Sequence, residues 1–203
     1  MIIWNEHPQG TDGWLKEKLG KPSASNASKI VTNKGEPSKQ AEGYLYELVA
    51  QRLSGRYEET YKNAYMEMGN EREAESRGYY ELIEGVEVTQ VGLVYPDENK
   101  QYLCSPDGII NNEYGLELKN VLGKTQVKYL LDNKLPSEYF AQVQMSLLVT
   151  GFKFWDFCSY SPGLDPLIIR VKPDKEFIGN LERQLKLFSE RLEKTYTQLK
   201  GEK

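Results

Sequence analysis

Apolar residues recur at helical spacing in several stretches of the chain. Ala41, Tyr44, Leu45, Leu48, Val49 and Leu53 form one stripe, with Ser38 placed to cap it and Gly55 to end it. Phe177, Leu181, Leu185, Phe188 and Leu192 form another and predict a helix over about residues 174–199. Residues 125–133 and 137–150 also read as helices, and residues 62–84 as one or two polar helices rich in Glu and Arg. Near the N-terminus, residues 8–20 predict a short helix carrying Trp14, Leu15 and Leu19, closed by Gly20. A second short helix opens at residues 22–25, with Ser23 or Ser25 as N-cap. Residues 33–37 read as a loop. Strand character appears at residues 86–95, 102–105, 108–111, 115–119, 152–160 and 167–171, with turns at Pro96-Asp97 and Asn111-Asn112. The expected fold is α/β in the α+β sense, a central mixed sheet flanked by helices.

With 203 residues, no internal repeat and no linker, the chain reads as a single domain over residues 1–203. Cys104 and Cys158 both lie in apolar or aromatic stretches and read as reduced, buried thiols. No signal pattern or membrane-length apolar run is evident, so a soluble cytoplasmic protein is expected. The net charge of −4 does not advertise a nucleic-acid binder, but net charge describes the whole surface and not one groove. His7 is the one histidine, which excludes chemistry needing a His pair, including Cys₂His₂ zinc sites and His-pair metalloproteases.

The segment from residue 104 to 119 holds Asp107, Glu117 and Lys119 among apolar residues. Glu117-x-Lys119 alone is a common pairing in a chain that is 28% charged, and reads equally as an ion pair on a solvated strand face. Leu116 and Leu118 alternate with it, so one strand face is apolar and the other carries both charges. Asp107, in the turn Pro106-Asp107-Gly108, lies one short hairpin away. Pairing of that hairpin brings Asp107 near Glu117, where two carboxylates repel unless a cation stands with them. Two carboxylates can hold a divalent metal and a Lys can steer or activate a water, the minimal kit for cutting a phosphodiester. A third acid is sought on the polar helix, where Glu71, Glu73 and Glu75 are the candidates. Gln142, in Ala141-Gln142-Val143-Gln144, is either hydrogen-bonded at the core edge or in contact with substrate.

Ser-Pro-Asp-Gly (105–108), Gly-Leu-Glu-Leu-Lys (115–119) and Ala-Gln-Val-Gln (141–144) together resemble the phage lambda exonuclease family, the YqaJ-type viral recombinase nucleases. Gly13-Trp14 through Leu19-Gly20, Ser23-Ala24-Ser25, Met68-Gly69 followed by Glu73, and Val149-Thr150 extend the resemblance from about residue 11 to the C-terminal helix. It implies a PD-(D/E)XK nuclease fold and Mg²⁺-dependent 5′→3′ digestion of linear double-stranded DNA. Products would be 5′ mononucleotides and a 3′ single-stranded tail, which a single-strand annealing protein uses for recombination. Two Mg²⁺ per site are implied, with Mn²⁺ able to substitute.

By the same resemblance Asp107, Glu117, Glu73 and the Leu118 carbonyl are metal ligands, and Lys119 positions or activates the water. Ser25 and Gln142 contact the scissile region, with Tyr139 nearby. Lys18 stands where lambda exonuclease has an Arg, giving a point charge in place of a bidentate phosphate grip. Lys124 is the substitute for a 5′-phosphate-binding Arg. Lys29, Lys34 and Lys128 are further candidate phosphate contacts, and Met66 a candidate strand-parting wedge. The resemblance also implies a homotrimer and a phage- or prophage-type protein in a bacterial host. The competing expectations are an endonuclease of the same fold and a non-catalytic DNA-binding or scaffold relative.

Overall fold

The computed structural model describes residues 1–57 and 64–201. In chain order these form β1 (Ile2–Trp4), α1 (Asp12–Lys18), a 3-10 turn (Ala24–Asn26), α2 (Ala27–Ile30), α3 (Ala41–Ser54) and α4 (Ala64–Glu84). Then come β2 (Leu93–Tyr95), β3 (Gly108–Ile110), β4 (Tyr114–Asn120), α5 (Gly123–Asp132), α6 (Ser137–Thr150), β5 (Trp155–Tyr160), β6 (Leu167–Val171) and α7 (Lys175–Lys200). The side chain of Met66, the candidate wedge, and that of Glu71 lie outside the described residues.

A four-stranded sheet runs in the order β3-β4-β5-β6. Its outer pairs are antiparallel and its central β4–β5 pair is parallel. A parallel pair needs a long crossover, which α5 and α6 supply. The β3–β4 hairpin turns at Asn111 and Asn112, whose φ values of 51° and 57° are tolerated by Asn better than by most side chains.

Alternation along β4 sorts its residues between the two faces of the sheet. Tyr114, Leu116 and Leu118 pack with Tyr80 of α4, Val88, Ile110 and Cys158. The opposite face meets α6, and beyond it a larger core joins residues of α2, α3, α6 and α7 with Ile109 and Trp155. Gly115 belongs to this face because a Cβ there would stand 2.3 Å from the Trp155 ring. Asp156 is fully buried on the α4 face, where Tyr80 Oη donates to it at 2.7 Å and Arg170 Nε at 2.9 Å. With these partners it is a satisfied core group.

Several elements differ from expectation. β1 was not anticipated; its Ile3 pairs with Val94 of β2. The strand expected over residues 86–95 is broken into a single bridge, Thr89 to Ile109, and β2. Gly92 lies between them, where a Cβ would come within 2.5 Å of the Trp4 carbonyl. The strand expected at 102–105 is two isolated bridges, Leu103 to Ser23 and Cys104 to Val94. Ser38 does not cap α3; Gln40 holds the cap position, and the Ser38 hydroxyl accepts from Gln40 N at 3.3 Å. Ser23 holds the N-cap position of the 3-10 turn, though its side chain makes no cap bond; Asn26, not Ser25, holds that position for α2.

Candidate functional site

Asp107 ends the approach to β3 and Glu117 lies opposite on β4. Asp107 N donates to the Leu116 carbonyl at 3.1 Å, and Asp107 Oδ2 accepts from Leu118 N at 2.6 Å. The carboxylate therefore continues the hairpin ladder one step beyond the last backbone pair. Leu118 shows its N–H to this edge, and a strand residue's carbonyl points the same way as its N–H. The Leu118 carbonyl is thereby directed to the same edge as Asp107.

Glu117 is only 3% exposed. Its Oε1 accepts from Lys119 Nζ and, at 2.6 Å, from Gln142 Nε2 of α6. Gln142 thus orients a carboxylate directly. The Lys119 ammonium also lies 5.3 Å from the centre of the Tyr139 ring, which packs on Phe157 of β5. One helix, α6, supplies both Gln142 and Tyr139, three residues apart on one face.

Asp107, Glu117, Lys119 and Gln142 open into a cleft of about 360 Å³. Its other wall comes from the N-terminal region through Gln9, Trp14, Lys18, Ser23 and Ser25. Lys18 Nζ stands 4.6 Å over the Trp14 ring. Ser25, exposed at the cleft, shares a 3.2 Å hydroxyl contact with Ser23. The sequence-selected Lys18, Ser25, Asp107, Glu117, Lys119 and Gln142 thus converge from four separate segments.

Other selected residues stand apart. Glu73 Oε1 accepts from Arg77 Nη2 at 2.6 Å, though its charge still reaches Asp107. Glu75 accepts from Tyr160 Oη at 2.7 Å. Lys124 is exposed at the start of α5 and does not line the cleft. Lys29 and Lys128 pair with Glu47 and Asp132, and Lys34 is exposed. Among the described residues no three His, Cys, Asp or Glu side chains form a closed metal cluster. Residue reading missed Gln9, Ser105 and Ser146 as cleft-lining groups.

The electrostatics follow from two carboxylates and one ammonium in a partly buried edge. Burial pushes the Asp107 carboxyl up to about 8, the Glu117 charge adds to this, and Lys119 opposes it. Burial alone would lower the Lys119 ammonium, but Glu117 and Asp107 hold it above the usual lysine value. Burial pushes Lys18 down to about 8, against the pull of Glu117. While Asp107 holds its proton, the Lys119 ammonium balances Glu117; once Asp107 ionises, the edge is short of positive charge. The donors that face it, two carboxylates and a strand carbonyl, are all oxygen and suit a hard divalent cation such as Mg²⁺.

The profile of the YqaJ-like viral recombinase domain matches residues 13–153. The chain belongs to this family. The YqaJ-like chain is also similar in structure to an alkaline exonuclease, LHK-Exo from Laribacter hongkongensis. The two are 29% identical, the match covers 94% of this chain and 96% of that one, and the TM-score is 0.84. The same figures hold for LHK-Exo in complex with dAMP. A phage-related exonuclease from Haemophilus somnus 129PT, 13% identical over 88% of this chain and 96% of its own, shares the fold at a TM-score of 0.67. No curated protein matches the sequence significantly. The YqaJ-like chain therefore has the nuclease fold of the alkaline exonucleases, as the motifs at 105–108, 115–119 and 141–144 implied. Among its described residues no helix is long and apolar enough to cross a membrane.

Proposed function

We propose that the protein is a Mg²⁺-dependent 5′→3′ exonuclease of linear double-stranded DNA that releases 5′ mononucleotides and leaves a 3′ tail. The observation that carries this reading is the joining of Asp107, Glu117 and Lys119 at one sheet edge, with Gln142 fixing Glu117. A bound Mg²⁺ would supply Lewis-acid stabilisation of the phosphate and a more acidic water. Asp107, Glu117 and the Leu118 carbonyl would hold it, with Glu73 available once it leaves Arg77.

Lys119 acts through its positive charge, because its carboxylate neighbours keep it protonated. From its seat between Glu117 and Tyr139 it orients the attacking water and offsets negative charge developing at phosphorus. Lys18 and Ser25, across the cleft, are placed to grip the phosphate; such contacts read charge and not base sequence, so affinity falls with salt. LHK-Exo's complex with dAMP, a mononucleotide of the kind this reaction releases, supports the reading. Family membership supports a homotrimer and a single-strand annealing protein as the recipient of the 3′ tail. The test of polarity is digestion of a linear duplex labelled at one end. Early release of 5′ label as mononucleotide is expected; early release of 3′ label would reverse the polarity.

Metal binding should depend on pH in a defined direction. Below about pH 8 Asp107 carries a proton that an incoming cation must displace. Mn²⁺ affinity, measured by titration calorimetry, is expected to rise from pH 6 to about 8 and flatten above. The proton released per metal should fall over the same interval. An affinity independent of pH would remove Asp107 from the ligand set. The name alkaline exonuclease, borne by LHK-Exo, fits such a profile.

A further inference from the structure

Gln9 lies outside every helix and strand, in the turn that leads into α1. The turn is fixed locally. Thr11 N and Oγ1 both donate to the Pro8 carbonyl, at 3.3 and 2.7 Å, and Gly10 adopts a φ of 80°. From this turn a single carboxamide nitrogen, Gln9 Nε2, donates to two carbonyls, Val91 O at 2.8 Å and Pro106 O at 2.7 Å. An amide NH₂ has two protons, so both are spent on these backbone acceptors.

The second acceptor decides the meaning of the contact. Pro106 O and Asp107 N belong to one peptide unit, which is planar. Its carbonyl is held by Gln9, and its N–H donates to Leu116 O at 3.1 Å. The plane is thus fixed from both sides, by the N-terminal turn and by β4. The orientation of that plane sets where the Asp107 side chain departs, and Asp107 Oδ2 then meets Leu118 N at 2.6 Å. The first acceptor ties the same arrangement to the segment before β2. There Gly92 O accepts from Trp14 Nε1 at 3.2 Å and from Ser105 Oγ at 2.8 Å. Gln9 is itself exposed, so its bonds add little to core packing.

We infer that Gln9 is a positioning residue: it fixes the Pro106–Asp107 peptide and so the aim of the Asp107 carboxylate in the cleft. It acts through Asp107 and does not take part in the reaction. This rests on the nuclease reading for its effect on turnover, but not for its effect on metal binding.

The test compares wild type with Gln9→Ala and Gln9→Met, the latter close in size but without donors. Three quantities are measured: Mn²⁺ affinity by calorimetry, kcat and KM on a linear duplex, and Tm in chelator. Both variants are expected to bind Mn²⁺ about 10–100-fold more weakly and to lose kcat by a similar factor, as for other changes that disorient a metal ligand. KM should stay near wild type, and Tm should fall slightly and equally in both variants, since each leaves the Val91 and Pro106 carbonyls without this donor. A packing role predicts that Met rescues what Ala loses, which would overturn the inference. So would Mn²⁺ affinity within about twofold of wild type in both variants, or a loss confined to KM, which would make Gln9 a substrate contact. If wild type binds Mn²⁺ but cuts no DNA, the nuclease reading fails, and the calorimetric comparison still decides the role of Gln9.

Discussion

Replacing Lys119 with alanine is expected to slow phosphodiester cleavage by about a hundred- to ten-thousandfold, the range for loss of a group that steers a proton or a water in the transition state. Lys119 is the cation paired with Glu117, and the Asp107 charge also reaches it. Lys18 faces it from another wall, and burial has already weakened its hold on a proton. DNA binding should change little, because Lys119 is only 27% exposed and is already engaged by Glu117. Glu117 loses its ammonium partner but keeps the Gln142 amide. Breaking a buried pair costs about 3–5 kcal/mol, and the partial exposure of Lys119 puts the cost at the low end. Single-turnover rates and duplex affinity, measured on the same folded variant, check the expectation. Near wild-type cleavage would remove Lys119 from the site.

Asp107→Asn is expected to abolish metal-supported turnover while making the metal-free protein more stable above about pH 8. The Asn oxygen can still accept from Leu118 N, so the hairpin edge persists. Its charge is gone, so the repulsion with Glu117 is gone with it. In wild type the folded carboxyl is raised to about 8, above its value of about 3.9 in an unfolded chain. Between those values the folded state holds a proton that the unfolded state has lost, so wild-type stability falls as pH rises. The variant lacks that decline. Its Mn²⁺ affinity should fall further than the 10–100-fold that changes behind a ligand produce, because it removes a charged ligand itself. Thermal melts in chelator from pH 5 to 9, set beside calorimetric Mn²⁺ titrations, measure both effects. A variant that binds Mn²⁺ as tightly as wild type would contradict the assignment.

The β3–β4 hairpin was legible because a strand's period of two is strict. Leu116 and Leu118 could face the core only if Glu117 and Lys119 faced the opposite side, and Asn111-Asn112 marked the turn. The helices α3, α6 and α7 were legible from their apolar stripes. β1 was not, since three residues carry little pattern and their partners lie about ninety positions away in β2. Gln142 and Ser25 entered through family motifs; their own neighbours would suit a core edge and a turn equally well. Gln9 had no local signal at all, because its acceptors are backbone carbonyls 82 and 97 residues distant. Lys124 shows the converse: a charge next to a motif says nothing about the direction of its side chain.

The most direct test of a metal-dependent, end-requiring nuclease sets a linear duplex beside a covalently closed circle of the same sequence, each with Mg²⁺ and with chelator. The linear duplex is expected to be digested only with Mg²⁺, and the circle to be untouched. Cutting of the circle would contradict the end requirement and make the protein an endonuclease; digestion in chelator, or none in Mg²⁺, would contradict the metal-dependent site at Asp107, Glu117 and Lys119.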